Sequence, residues 1–527
     1  MNLSRSAHLP CFVVLICGFA TALVACGGGA GGGTTPQNPT LTTPSVTVTP
    51  ASSGVTTAES LSAAVKVSGN GPTPTGSVVL SSGSYASSAL TLIGGRAVIS
   101  IPAGLLAVGA DTLTAKYTPD TASAATYNSA SGTVSVTVAS TSGLPTVNTS
   151  SLTYSTVAPP FQAVVASNGT VFVSVSGQGV QVFIPTSSGL TSQCVNQFPP
   201  SLSGEGASAT NLSFLPNGTT VAVGVGAPGA IFYSTSALGT CTATGLLVSQ
   251  GTIASDQGTL EADATPDGKY AFVSNEYGVA AGATTEGNIG VVQMQYDFNG
   301  NVTTGTTLLG QISTGGRAIA GMLLSPDGTR LYVTSEIAGT TAGAGSGNPV
   351  LAENNCVQAV GGTPQLNGIL TVIDVAKAER SPSSSAIIST VDAGCSPVRM
   401  AETADESTLW VSARGDNRVL AFSTGMLESN PGSALLGYAD TGGTAPVGIK
   451  LFHKDQLLAV ANSNRFGAGP TANATILDVS TPATASVVAT IPTGLFPREF
   501  WVGADDATLY LTNYDSDTLQ VVSTTVQ

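Results

Sequence analysis

One short pattern returns seven times in this 527-residue chain, and each copy predicts a β-hairpin. The plainest copy, Leu324–Thr334, reads LSPDGTRLYVT. Its Pro-Asp-Gly turn supplies the backbone angles that reverse a strand, and an apolar run lies on either side. The position of Tyr332-Val333 is taken in the other copies by Phe172-Val173, Ala222-Val223, Phe272-Val273, Trp410-Val411, Ala459-Val460 and Tyr510-Leu511.

The spacing of the copies indicates the architecture that they build. Successive copies lie 50, 50, 60, 78, 49 and 51 residues apart. A period of about 40 to 50 residues that carries several short strands is typical of the blades of a β-propeller. We therefore predict an all-β protein in which residues 144–527 form a seven-bladed propeller.

Each repeat is expected to contribute four strands, and the two ends of the repeat region are expected to pair. The last repeat ends after its third strand, Thr518–Val522, and lacks a fourth. The segment Val147–Thr156 precedes the first hairpin and can supply that strand. Such pairing would close the ring and remove an exposed sheet edge.

The composition favours strands and turns and argues against one class of partner. Only 9% of the residues are charged, against about 25% in ordinary soluble domains. The net charge is -14, so the chain has no excess of Lys and Arg to neutralise phosphates. We therefore expect no nucleic-acid partner.

Residues 1–26 are typical of a segment that is processed during export. Arg5 precedes an apolar run, Cys11–Val24, that is short for a transmembrane span of about 20 residues. The sequence Leu23-Val24-Ala25-Cys26 resembles a bacterial lipobox, which implies acyl chains on Cys26 and anchoring to the cell envelope, at the outer membrane or cell surface. An ordinary signal peptide with an accidental cysteine is the alternative. The Gly-, Thr- and Pro-rich residues 27–43 are predicted to form a flexible tether.

Residues 44–139 are predicted to form a β-sandwich ahead of the propeller, because turn residues separate short strands at a suitable spacing. The stretches PTGSVVL from Pro74, LTAKY from Leu113 and YNSAS from Tyr127 resemble bacterial Ig-like repeat domains. The resemblance implies a spacer or adhesion unit. The predicted strands are Val46–Val48, Leu61–Val67, Gly76–Leu80, Ala97–Ile101, Asp111–Tyr117 and Gly132–Val138.

The hairpins themselves resemble a known propeller family. Tyr332–Ser335, Phe272–Asn275 and Tyr510–Asn513 are similar to the YVTN repeats of the seven-bladed lactonase-like β-propellers. The resemblance covers about 380 residues and implies the fold. For activity it leaves sugar-lactone hydrolases, quinone-dependent enzymes and binding scaffolds open.

Four cysteines follow residue 26, and an even number in an exported protein permits two disulfides. Cys194 and Cys241 fall in the third-to-fourth strand connections of adjacent blades, on one face. Cys356 and Cys395 fall in connections on the opposite face. We predict that Cys194 pairs with Cys241 and Cys356 with Cys395, and four free buried thiols are the alternative.

Ligands of propellers usually meet the face on which the second-to-third and fourth-to-first strand connections surround the central channel. We call this the loop face, and the opposite face, which carries the hairpin turns, the turn face. Positions expected at the loop-face mouth of the channel are Phe161, Asn211, Glu261, Gly321, Arg399, Gly448 and Glu499. Neighbouring candidates are Arg317, Arg498, Asn275, Glu276, Glu336, Arg414, Asn462, Arg465, Asn513 and Tyr514.

Arginine and acid side chains define two hypotheses for this face. Arginine forks bind carboxylates, which makes Arg317, Arg399, Arg414 and Arg498, with Asn275 and Asn513, candidate ligand-binding residues. A nearby acid can activate water, so Glu261 and Glu499 are candidate acid-base residues. The alternative is that these Arg and Glu residues pair across blades and close the channel.

Other features of the sequence narrow the chemistry. The insertion Ile337–Asn367 is predicted to overhang the loop face as a lid or binding loop, with decoration as the alternative. His453 is the one histidine after residue 26 and lies near a hairpin turn, so neither a catalytic triad nor a multi-histidine metal site is expected. Asp297–Asn301 faintly suggests calcium ligands, but a hairpin turn needs the same residues. No metal and no cofactor are predicted.

The sequence thus predicts an exported, lipid-anchored bacterial protein whose propeller binds a protein, a glycan or a small acidic ligand. The alternative is a lactonase-like hydrolase that acts on a sugar lactone at the channel mouth. In that hypothesis Arg399 and Arg498 hold the substrate, while Glu261 or Glu499 moves protons. A third hypothesis is a surface protein whose repeats serve only stability.

Overall fold

The computed structural model describes residues 41–57, 59–83, 85–139, 144–198, 209–226, 229–248, 258–277, 286–339, 356–357, 364–467 and 471–527. These residues form mostly β-strands, arranged as two N-terminal sheets followed by a seven-bladed propeller. The predicted all-β propeller fold is therefore confirmed. The export segment, Cys26 and most of the predicted tether lie outside the described residues, as does most of the insertion Ile337–Asn367.

The N-terminal region packs two sheets around one apolar core. One sheet has the strand order β1-β3-β7, and the other has the order β2-β9-β8-β4-β5 with β6 on β4. Along β7, Ala97, Ile99 and Ile101 point into the core while the intervening residues face outward, as expected for a half-buried strand. The strands are β1 Ser45–Pro50, β2 Gly54–Thr56, β3 Leu61–Ser68, β4 Gly76–Ser82, β5 Tyr85–Ala86, β6 Leu90–Thr91, β7 Arg96–Ile101, β8 Gly109–Pro119 and β9 Ala130–Ala139.

Blades 1 to 4 follow the predicted repeats. Blade 1 consists of β11 Pro160–Val165, β12 Val171–Val175, β13 Gly179–Thr186 and β14 Gly189–Gln197. Blade 2 consists of β15 Leu212–Phe214, β16 Thr220–Gly224, β17 Ala230–Ser234 and β18 Leu246–Val248. Blades 3 and 4 share a strand and consist of β19 Thr259–Ala264, β20 Tyr270–Asn275, β21 Glu286–Gln293, the shared β22 Thr307–Leu324, β23 Arg330–Ala338, β24 Ile369–Asp374 and β25 Ile387–Asp392.

Blades 5 to 7 complete the ring. Blade 5 consists of β26 Pro397–Glu402, β27 Thr408–Ala413, β28 Arg418–Ser423 and β29 Leu435–Asp440. Blade 6 consists of β30 Pro446–Phe452, β31 Leu457–Asn462, β32 Asn473–Asp478 and β33 Ser486–Pro492. Blade 7 consists of β34 Pro497–Val502, β35 Thr508–Asn513, β36 Thr518–Val526 and β10 Val147–Ser155.

The ring closes through β10, which precedes the first blade in sequence and is the outer strand of the last. It pairs antiparallel with β36, with Val147 opposite Val526 and Ser155 opposite Thr518. The predicted closure is confirmed. Because the two ends of the repeat region are held in one sheet, opening the ring requires breaking this ladder.

Helices are short and lie between strands. The α-helices are α1 Thr235–Gly239, α2 Val375–Arg380 and α3 Thr424–Ser429, and each joins the third strand of its blade to the fourth. Asp374 caps α2 by accepting a hydrogen bond from the Lys377 N–H at 2.9 Å. Single 3₁₀ turns occupy Ser384–Ala386, Arg414–Asp416, Pro431–Ser433, Pro482–Thr484 and Tyr514–Ser516. In the part of the chain that the structure describes, no helix has the length and apolar character needed to span a membrane.

Hydroxyl groups at one repeat position join neighbouring blades. The residue after the Tyr-Val pair donates to a carbonyl of the next blade's first strand: Thr334 to Val398 (2.7 Å), Ser412 to Val447 (2.7 Å) and Thr512 to Phe161 (2.9 Å). Blade 2 has Gly224 at this position, and Thr210 supplies the bond instead, to Leu260 at 2.8 Å. A Cβ on Gly224 would lie 2.4 Å from the Thr210 hydroxyl, so the glycine leaves room for the substitute.

Both predicted disulfides are present, Cys194 with Cys241 and Cys356 with Cys395. The first joins blades 1 and 2, and the second joins the insertion of blade 4 to the start of blade 5. One detail of the prediction is wrong, because Cys194 lies on β14 itself and not in the connection before it. The reason is a tight turn between β13 and β14, which lets the fourth strand begin at Gly189.

Candidate functional site in the central channel

Four of the predicted mouth residues meet inside the channel, and we call Asn211, Glu261, Arg399 and Glu499 the channel cluster. The Arg399 Nε donates to a Glu499 carboxylate oxygen at 2.7 Å and lies 3.7 Å from Glu261 Oε1. The Arg399 Nη2 donates to Asn211 Oδ1 at 3.2 Å. All four side chains are buried, although they come from four different blades. The cluster therefore ties the ring together across its centre.

Glu261 is fully engaged within the cluster. One carboxylate oxygen accepts a hydrogen bond from the Asn211 side chain, and the other accepts from the Met322 backbone N–H at 2.7 Å. Burial raises the pKa of Glu261 to about 7, and the Arg399 guanidinium opposes that rise. At neutral pH this carboxyl is therefore present in both protonation states, and each of its oxygens is already hydrogen-bonded.

The expected place of these residues at the channel mouth is wrong for the cluster, which is buried within the channel. A β-bulge interrupts the first strand of several blades close to these positions, for example between Pro397 and Met400. A bulge re-aims the side chains beside it. Gly321 and Gly448 take no part in the cluster, because a Cβ there would lie 2.1 and 2.2 Å from carbonyl oxygens of the adjoining blade.

The loop-face mouth carries a second arginine in a different setting. The Arg498 guanidinium lies 3.5 Å from the centre of the Phe161 ring, with Tyr514 at 5.4 Å and Phe496 at 5.7 Å. Its Nε is buried without a hydrogen-bond partner, and no carboxylate of the described residues forms an ion pair with it. Burial, with the nearby Arg399, lowers the pKa of Arg498 to about 9, so the side chain remains a cation at neutral pH.

Arg414 and Arg465 extend this positive group. The Arg414 Nη2 donates to Glu336 at 2.5 Å and to Ser396 at 3.2 Å, while its Nε is buried without a partner. Arg465 is exposed and close enough to both other arginines to lower their pKa values. We call Arg414, Arg465 and Arg498 the loop-face arginine group.

Three other predicted site residues, Asn275, Asn513 and Arg317, have their described contacts or pairing within a single sheet. Asn275 donates to Asn288 and accepts from Thr259, each at 2.8 Å. Asn513 donates to Thr518 and Gln520 at 3.2 Å. Arg317 lies opposite Glu286 in the pairing of β21 with β22.

Asp297 and His453 both lie at hairpin turns, as predicted from the sequence. The Asp297 carboxylate accepts hydrogen bonds from the backbone N–H groups of Asn299 and Asn301, each at 2.8 Å. These bonds form the predicted turn. His453 lies at the hairpin turn of blade 6, where its backbone N–H donates to an Asp506 carboxylate oxygen at 2.9 Å. No group of three or more His, Cys, Asp or Glu residues in the described ranges is arranged to hold a metal ion.

Sequence reasoning missed a cavity of about 200 Å³ on the turn-face side of the channel cluster. We call it the turn-face cavity. Five of the residues that line it come two positions after a predicted mouth residue, so the period of two along a strand was the available signal. These residues include Ser213, Asp263, Leu323, Lys450 and Trp501.

Comparison with known proteins identifies no family. No family model matches the sequence, and no curated protein matches it. Among solved structures, a chain of the mitotic checkpoint complex is 11% identical, with a TM-score of 0.48 over 71% of this chain and 90% of its own. A chain of hydrazine synthase from Kuenenia stuttgartiensis is 17% identical, also with a TM-score of 0.48, over 71% of this chain and 98% of its own. Neither similarity bears on ligand or activity.

Proposed function

We propose that this chain is an exported, lipid-anchored bacterial envelope protein whose propeller binds a small acidic ligand at the loop face. In this account Cys26 carries the anchor, and an Ig-like domain holds the YVTN-type propeller away from the membrane. The two disulfides support a periplasmic or extracellular location, because such bonds persist in oxidising compartments.

The observation that carries the proposal is the cation Arg498, which forms no ion pair with any described residue. Its guanidinium is held against Phe161, and its buried Nε has no acceptor in the described part of the chain. A buried unsatisfied donor is costly, and a ligand carboxylate would supply the missing acceptor in a charge-assisted bond. The rings of Phe161, Phe496 and Tyr514 would pack against the uncharged part of the same ligand. Arg399 is less suited to bind a ligand carboxylate, because its guanidinium already donates hydrogen bonds to Glu499 and Asn211.

The proposal is tested by thermal shift and titration calorimetry of the purified full chain with D-glucuronate, D-gluconate and uncharged D-glucose. A ligand that binds the folded state raises the melting temperature. We expect a shift with a sugar acid, none with glucose, and loss of the shift in Arg498→Met. The matched control is Arg96→Met, which removes an exposed arginine of β7. Equal shifts in Arg498→Met and wild type, or no shift with either acid, would refute the proposal.

A lactonase-like hydrolase is the second candidate, and the pKa of Glu261 favours it. A carboxyl with a pKa near 7 suits proton transfer at neutral pH. The hydrogen bonds to both of its oxygens argue against it, because they would have to break before Glu261 could reach a substrate. Opening of glucono-1,5-lactone above the spontaneous rate, abolished in Glu261→Gln, would favour the hydrolase over the binding module.

A further inference from the structure

The turn-face cavity is separate from the loop-face site and is open to solvent at the opposite end. The buried channel cluster closes its inner end. Ser213, Asp263, Lys450 and Trp501 line its outer part and are only partly buried. A ligand can therefore reach these side chains from the turn face without passing the cluster.

Two opposite charges face each other across this cavity. Asp263 lies on the first strand of blade 3 and Lys450 on the first strand of blade 6, on opposite sides of the ring. Burial raises the pKa of the Asp263 carboxyl, and the Ser213 hydroxyl and Lys450 oppose that rise. Within the described residues Asp263 and Lys450 form no ion pair with each other. One Asp263 oxygen accepts from the Ser213 hydroxyl, and the other has no hydrogen-bond partner within the described ranges, nor has the Lys450 ammonium. Both charges are thus available to a ligand that spans the cavity.

An aromatic side chain lines the same cavity as the two charges. Trp501 lines the cavity, and its ring contacts Phe214 edge to face, with centroids 6.0 Å apart. Phe214 in turn packs against Phe172 at 6.4 Å. This chain of rings holds the indole in place, so that it offers a fixed apolar surface beside the charges.

We propose that the turn-face cavity binds a free α-amino acid in its zwitterionic form. The ligand ammonium pairs with Asp263, its carboxylate pairs with Lys450, and its side chain packs against Trp501 and Leu323. The size agrees, since about 200 Å³ is less than the roughly 300 to 1,000 Å³ of pockets for drug-sized ligands. It corresponds to about seven water molecules at ~30 Å³ each.

The charge pattern distinguishes this class from its rivals. A neutral sugar would desolvate both Asp263 and Lys450 without supplying a counter-charge, which is costly. A simple amine or a simple acid would satisfy one of the two charges and leave the other unpaired. A zwitterion satisfies both with one molecule, and charge-assisted hydrogen bonds are the stronger kind.

The test uses tryptophan fluorescence of the purified full chain, titrated with each of the twenty amino acids separately. The chain has two tryptophans, and Trp410 is buried in blade 5, so Trp410→Phe isolates the signal of Trp501. We expect at least one amino acid to change the emission saturably. Lys450→Met and Asp263→Asn should each weaken that binding about tenfold to a hundredfold.

Matched controls carry the same substitutions elsewhere on the turn face. Asp267 and Lys269 form an exposed ion pair at the turn of blade 3, so Asp267→Asn and Lys269→Met should leave the affinity unchanged. With wild-type protein, the decarboxylated and the deaminated analogue of the bound amino acid should each bind at least tenfold more weakly. These titrations do not depend on the folding of any variant. A flat response to all twenty, tight binding of either analogue, or a saturable change of the Trp501 emission with a monosaccharide instead would overturn the proposal.

Discussion

The two ends of the central channel have different chemistry although they belong to the same ring of blades. The loop-face end presents Arg414, Arg465 and Arg498 beside aromatic rings, whereas the turn-face end presents one acid and one lysine across a small cavity. The channel cluster separates them. Along the first strands, the channel cluster and the turn-face side chains lie only two positions apart, as Glu261 and Asp263 do. A repeat that fixes the backbone therefore leaves the chemistry of these positions free to differ.

We expect the largest effect from removing the arginine of the channel cluster, which separates the two ends. Arg399→Met leaves Glu261 and Glu499 buried without their cation. Removal of one partner from a buried ion pair costs about 3 to 5 kcal/mol, and we expect a loss of that order in the free energy of unfolding of the propeller. Chemical denaturation of wild type and variant measures it.

The control for this prediction restores neutrality. Adding Glu261→Gln and Glu499→Gln to Arg399→Met removes the unpaired charges and should recover part of the lost stability. A loss below about 1 kcal/mol in Arg399→Met, as for exposed pairs, would mean that the cluster does not hold the ring together.

The disulfides offer a way to perturb one end without the other. They bridge sequence separations of 47 and 39 residues, so removing either should cost about 2 to 4 kcal/mol. Of the two disulfides, Cys356–Cys395 is the one that packs beside the loop-face arginine group, because Gly415, next to Arg414, lies against Cys395. Cys356→Ser with Cys395→Ser should therefore weaken sugar-acid binding several-fold, measured by calorimetry, while Cys194→Ser with Cys241→Ser should not. Equal weakening by both pairs would contradict the assignment.

The smallest effect is a pH dependence that originates in the cluster. The folded-state pKa of Glu261 is about 7, above its ordinary value of 4.5. The contribution of this carboxyl to stability is therefore complete below about pH 4.5 and is lost as the pH rises through about 7. Between pH 5 and pH 8 the melting temperature should fall less in Glu261→Gln than in wild type.

Part of this slope should remain in the variant. Burial also raises the pKa of Glu402 to about 7 and that of Glu59 to about 6, and both act in the same direction. An unchanged slope in Glu261→Gln would show that Glu261 does not titrate in this range.

The fold was largely predictable because its signals are local. The Pro-Asp-Gly turn of blade 4, the alternation along each strand and the spacing of the Tyr-Val positions are all legible in the sequence, and they gave the blade count. The closing strand followed from the missing fourth strand of the last repeat. The disulfide pairs followed from the same repeat positions.

The candidate sites were less predictable because they depend on contacts between distant blades. Arg399 meets Glu499 across 100 residues of sequence and Asn211 across 188, and it lies within a β-bulge that the sequence did not indicate. Arg498 differs from Arg399 through the ring of Phe161, which lies at the other end of the propeller sequence. Asp263 and Lys450 each come two positions after a predicted mouth residue, so the alternation along a strand could have indicated them. Their place on opposite sides of the channel follows only from the closed ring.

The most direct test is a crystal structure of the protein with D-glucuronate. The account predicts a carboxylate within hydrogen-bond distance of the Arg498 guanidinium at the loop face, with the sugar ring beside Phe161, Phe496 or Tyr514. It also predicts an intact channel cluster in that complex. A sugar acid seated at Lys450 on the turn face, or a cluster opened so that Arg399 holds the ligand, would contradict it.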